Sequence, residues 1–107
     1  MQDHFVGRMD YAVSKTVDEK VVLLNLSNGA YFSLNEVGAL VWKLCSGKKT
    51  IRDIVSSVGR KFPRDKNRIS KDVLGFLEEL KRQRLVRITP TPVSTAKRSL
   101  GQKRNFA

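Results

Sequence analysis

The chain has 107 residues, enough for one domain with a modest core, and its 40% hydrophobic and 29% charged content is ordinary for a globular protein. Its single cysteine rules out an internal disulfide and fits a reducing cytosol; no apolar run approaches a membrane span, and Gln2, Asp3 and His4 begin no secretion signal. The net charge of +11 is unevenly placed: residues 1 to 79 carry 13 Lys and Arg against all 10 Asp and Glu, whereas eight Lys and Arg and no acid follow Glu79. Such a basic end attracts something acidic, whether peptide, enzyme surface, nucleic acid or membrane; the plainer reading is a solvated tail that aids solubility.

In chain order, residues 1–10 are weakly patterned and expected to be flexible. Tyr11-Ala12-Val13 suits a short first strand, and Asp18-Glu19-Lys20 a polar turn. Val21 to Leu26 is the strongest strand in the sequence. Asn28-Gly29 is a hairpin signal, since both residues tolerate positive φ. A two-residue turn there would set Leu26 opposite Tyr31, Asn25 opposite Phe32 and Leu24 opposite Ser33. Ala30 to Ser33 reads as the aromatic-rich return strand. Asn35 then caps a first helix, about Glu36 to Cys45, in which Val37, Leu40, Val41 and Leu44 repeat at helical spacing, and Ser46-Gly47 stops it.

Thr50 with Asp53 resembles a capping box for a second helix, whose stripe is Ile51, Ile54, Val55 and Val58. That helix ends before Phe62-Pro63. Asp65 can cap the third and longest helix, about Lys66 to Gln83, with Ile69, Val73, Phe76, Leu77 and Leu80 on one face. Leu85 to Ile88 suits a last short strand. From Val93 onward the composition is polar, basic and aperiodic, so disorder is expected over residues 93–107. The fold class is therefore α+β: a small antiparallel sheet at the N-terminus, then three helices, arranged like a winged helix-turn-helix over residues 11–92.

Little in the sequence suggests catalysis. Cys45, near the end of a helix, reads as a small buried thiol; His4 lies in the weakly patterned terminus, and one of each cannot hold zinc. Glu78 and Glu79 are helix neighbours and point apart. Gly29, Gly38 and Gly47 are too scattered to cradle a phosphate. Trp42 reads as core rather than as a stacking platform. The expectation is a protein that is not an enzyme and needs no metal or cofactor.

The run Leu23-Leu24-Asn25, Gly29, Tyr31-Phe32, Leu34-Asn35, Val37-Gly38-Ala39 and Trp42 resembles the PqqD-like family, the RiPP recognition elements. Gly47, Thr50, Asp72-Val73, Phe76-Leu77, Leu80 and Leu85-Val86 continue the resemblance, which covers about residues 11 to 88. The YFxLNxVGAxVW pattern looks most like the stand-alone leader-binding proteins of lasso-peptide systems. The resemblance implies a non-catalytic domain that grips the leader of a ribosomally made precursor peptide. It would then present the leader to a modifying enzyme or leader protease. The implied mode is β-augmentation in a cleft between the third strand and the third helix. On this chain the strand maps to Ala30, Tyr31, Phe32 and Ser33, and the helix to residues 66–83.

The residues themselves offer a candidate wall for that cleft. Leu74 lies off the main stripe of helix three, with Lys71, Glu78 and Lys81 beside it. Read alone, it is equally a lone exposed leucine. Two other functions compete: a winged-helix nucleic-acid binder, for which Lys48 to Lys71 holds nine basic residues, and a structural adaptor that binds an enzyme and no peptide. Asp72, Glu78 and Glu79 on the third helix argue against nucleic acid. The compartment expected is the cytoplasm. An open edge strand would also permit a homodimer.

Overall fold

The computed structural model describes residues 2–92, the side chains of residues 64 and 66 excepted. Six strands and three helices follow in the order β1 (Phe5–Arg8), β2 (Ala12–Val17), β3 (Lys20–Asn25), β4 (Tyr31–Leu34), α1 (Glu36–Leu44), β5 (Ser46–Thr50), α2 (Ile51–Lys61), α3 (Lys66–Arg82) and β6 (Val86–Thr89). A 3-10 turn, Pro63–Asp65, leads into α3, and Asp65 makes no side-chain bond to its first amides. The α+β class and the winged, three-helix arrangement are those the sequence implied. The basic segment 93–107 lies outside the described residues.

The strands make two antiparallel three-stranded sheets, ordered β5-β1-β6 and β2-β3-β4. The first was not foreseen. Residues 1–10 carry no alternation, yet β1 is a central strand there, bonded to β5 on one side and β6 on the other. The strand is only four residues long, with Val6 and Gly7 buried in succession and Phe5 and Arg8 half-buried, so no apolar-polar alternation marks it. β5 is equally hidden in Ser46-Gly47-Lys48-Lys49-Thr50. Gly47 adopts φ +87°, which a non-glycine residue rarely does, and the β1 register shifts beside it as at a bulge.

The hairpin forms where the sequence placed it, with a longer loop. Leu24 faces Tyr31, Leu23 faces Phe32 and Val22 faces Ser33, two residues away from the tight-turn register. Polar side chains hold the wider loop. Asn25 Oδ1 accepts from Ser27 N and Asn28 Oδ1 from Ala30 N, while Gly29 takes φ +79° and its N–H donates to Asn25 O. A slip of two keeps every side chain on its face.

The core lies between the sheets and the helices. Val6, Leu23, Val41, Ile54, Val58 and Val73 are wholly buried, and Leu85 all but so. Trp42 belongs to this core, with Arg8 stacked 5.6 Å from its ring centre. On the β2-β3-β4 sheet the inner face presents Leu23, Phe32 and Leu34, and the outer face Val13, Leu24 and Tyr31.

The α2 cap is a capping box: Asp53 N donates to Thr50 Oγ1 and Thr50 N donates to Asp53 Oδ2, both at 3.1 Å. Thr50→Ala is expected to lower stability by about 1 kcal/mol, measured by urea denaturation. The Thr50 N–H holds the Asp53 carboxyl below the ordinary carboxylate range. A depressed folded-state pKa stabilises at neutral pH and is lost as pH falls. The difference between wild type and Asp53→Asn should therefore be present at pH 7 and shrink below the carboxylate range.

Candidate functional site

The site is built on a free sheet margin. β4 is the last strand of its sheet, and among the described residues β3 is its only strand partner. The Asn25 N–H donates to Ala30 O at 2.8 Å, which sets the alternation of the antiparallel ladder. Phe32 and Leu34 therefore turn their main-chain groups toward β3, opposite Leu23 and Val21. Tyr31 and Ser33 turn theirs to the open side. An extended chain beside β4 would meet those two N–H and two C=O groups.

The side chains of the strand divide between its faces. Tyr31 is 71% exposed on the outer face, with Ser33 also exposed. Phe32 is half-buried and packs against the core, and Leu34 is buried. Ala30 is half-buried at the loop exit.

Next to the end of β4, Asn35 Oδ1 accepts from Gly38 N at 2.8 Å and starts α1. Gly38 is where three elements converge. A Cβ there would stand 3.3 Å from Asn35 Oδ1, 3.4 Å from Phe76 Cζ on α3 and 3.6 Å from Leu34 Cβ on β4. Beside this junction a hollow of about 420 Å³ is lined by Asn35, Val37, Gly38, Lys71, Asp72, Gly75 and Phe76.

The third-helix residues singled out in the sequence do not gather in one place. Lys71 lines this hollow. Leu74, Glu78 and Lys81 line another, of about 310 Å³, with Gln2, Ile51, Leu77 and Ile88. Helical geometry explains the split: at 3.6 residues per turn, Phe76 and Asp72 fall on one side of the buried stripe and Lys81 and Leu74 on the other. Lys71 and Gly75 lie along the crest between them. Asn35, Gly38, Asp72, Gly75 and Phe76 were missed as lining residues, though placing the stripe on a helical wheel would have set Asp72 and Phe76 apart from Leu74.

Cys45 is wholly buried, its thiol donates to Val41 O at 3.2 Å, and burial pushes its pKa up to about 12. The folded protein should resist alkylation at pH 8, while urea-unfolded protein reacts at once; equal labelling in both states would contradict that burial. Among the described residues no cluster of His, Cys, Asp or Glu is placed to hold a metal ion, and no helix is long and apolar enough to cross a bilayer.

Residues 20–86 match the model of the family described as coenzyme PQQ synthesis protein D (PqqD). Two solved structures share the fold. One, described as TbiB1 in complex with the TbiA(beta) leader peptide, is 32% identical, with 75% of this chain and 93% of that chain aligned at a TM-score of 0.65. The other, described as lasso peptide synthetase B1 complexed with the leader peptide, is 19% identical, with 77% and 96% aligned at 0.64. No curated protein matches the chain in sequence.

Proposed function

Because this chain belongs to the PqqD family, we propose that it binds the leader segment of a ribosomally made precursor peptide as an added strand on β4. The observation that carries the proposal is the unpaired margin of β4, with the main-chain groups of Tyr31 and Ser33 turned outward. The solved relative of 32% identity is described in complex with a leader peptide, which supports the same ligand class here.

In this reading the strand residues Ala30 to Ser33 supply the backbone template. The third helix contributes through Lys71, Asp72, Gly75 and Phe76, which border the hollow at the end of β4. Leu74, Glu78 and Lys81 form the other hollow and would contact a leader only if it runs on past α3. The domain performs no bond-making step. It holds the leader for a modifying enzyme or leader protease acting in the cytoplasm. A second copy of the chain would find its own free margin at β2, the other outer strand of the sheet.

The test is to titrate labelled precursor leader peptides, the TbiA(beta) leader among them, beside labelled duplex DNA of equal length. Saturable binding of a leader, with slowed hydrogen exchange at the Tyr31 and Ser33 amides, is expected. Binding of the duplex in place of every leader, with steep salt dependence, would instead favour the winged-helix nucleic-acid reading.

A further inference from the structure

A single exposed apolar side chain is common, but several together on one face mark a surface that another molecule covers. Among the described residues the exposed large hydrophobic side chains are Val13, Val17, Leu26 and Tyr31. All of them belong to the β2-β3-β4 sheet. Its register sets Val13, Leu24 and Tyr31 side by side across the three strands, with Lys15, Val22 and Ser33 in the next row. Val17 follows Lys15 on the same face of β2. Leu26 comes directly after β3, and its N–H donates to Tyr11 O at 2.9 Å. An antiparallel sheet with one face on the core ordinarily turns polar residues outward. This sheet already buries Leu23 and Leu34 on its inner face, and its outer face is apolar as well.

Charge and area narrow what covers it. Lys15 and Lys20 are exposed on this face, and none of its strand residues is acidic; Asp18 and Glu19 lie in the turn at its end. Two copies stacked on this face would bring those lysines together in a chain of net charge +11. A three-stranded face about 14 Å wide and about 20 Å long offers roughly 300 Å², well short of the ~800 Å² that each partner gives a stable interface. Both arguments count against a second copy. They favour a partner of opposite charge that gains further contact from something beside the sheet.

We propose that the outer face of β2-β3-β4 is the docking surface for a second protein, one with an apolar patch rimmed by Asp and Glu, and that a guest strand on β4 widens it. This inference rests on the β4 reading. A strand added to β4 becomes the fourth strand of the sheet, and every second guest side chain continues the row of Val13, Leu24 and Tyr31. The protein that reads this face is therefore the enzyme that acts on the guest peptide. Contacts it makes only with the loaded sheet couple the two binding events, and the coupling is reciprocal.

The experiment immobilises the full chain and titrates, one at a time, the purified enzymes encoded beside its own gene, with and without the precursor leader encoded there. Wild type should bind one of these enzymes, and several-fold more tightly when the leader is present. Val13→Glu and Lys15→Glu should each weaken that enzyme ~10-fold or more. Both should leave leader affinity unchanged, because β3 stands between β2 and β4. Arg60→Glu, an equal change of charge at an exposed position of α2, should cost no more than ~2-fold. Lys15 is fully on the surface, so its variant keeps the test if Val13→Glu fails to fold. An enzyme bound equally by wild type and both β2 variants, or no enzyme bound at all, would overturn the inference. So would wild-type dimers in sedimentation that Val13→Glu abolishes, which would give the face to a second copy. Retention on phosphatidylglycerol vesicles, lost in Val13→Glu, would overturn it in favour of a lipid surface. A wild-type chain that binds no leader would instead remove the β4 reading itself.

Discussion

Ser33→Pro is expected to weaken leader binding ~10-fold or more while leaving the folded domain within about 1 kcal/mol of wild type. The main-chain groups of Ser33 face the open side of β4, whereas those of Phe32 and Leu34 bond β3. Proline there removes an N–H that no partner within the sheet uses, and its ring fills the lane a guest strand would take. Phe32→Pro makes the complementary test. It removes an N–H on the β3 side and takes away a half-buried ring packed on the core, so it should cost several kcal/mol. Calorimetric titration and thermal melting read the two effects separately. A Ser33→Pro protein that binds leader as tightly as wild type would place the guest on another surface.

Leu23→Ala is expected to lower stability by about 2 to 5 kcal/mol. Leu23 is wholly buried and lies opposite Phe32, in the middle strand of the sheet that carries the free margin. Shortening it leaves a cavity between that sheet and the helices, where the core is closely packed. A loss of this size is a large part of the 5–15 kcal/mol typical of a small domain, so the urea midpoint should fall steeply. The protein that remains folded should still bind, because β4 keeps its register and its outward groups. Leu26→Ala makes the comparison: Leu26 is 65% exposed, and its loss should change stability by no more than about 0.5 kcal/mol. Equal effects at the two positions would mean that the sheet does not pack on the helices as described.

Several features were legible before the structure. Asn35 and Thr50 announced the starts of α1 and α2, because a cap is a local bond between a side chain and amides two or three residues away. The stripes of α2 and α3 were plain for a similar reason: a helix one face wide repeats every three or four residues. The Asn28-Gly29 signal located the hairpin but not its register, since the Asn25 and Asn28 side-chain bonds widen the loop without altering the periodicity. Residues 1–10 hid β1 because its two partners, β5 and β6, come from distant parts of the chain.

The sequence by itself determined the three helices, the hairpin and the family, since caps, turn residues and apolar spacing act over a few residues and the family pattern is made of them. Only the tertiary structure decided that β4 stands at a margin, and which flank of α3 lies beside it. Whether a strand is central or outermost depends on what pairs with it, and no residue within Tyr31–Leu34 encodes that. The choice between Leu74 and Phe76 as neighbours of the hollow at its end turns on how α3 is rotated against α1. Phe76 comes close to Gly38 of α1, far away in the chain, and only the folded chain brings the two together.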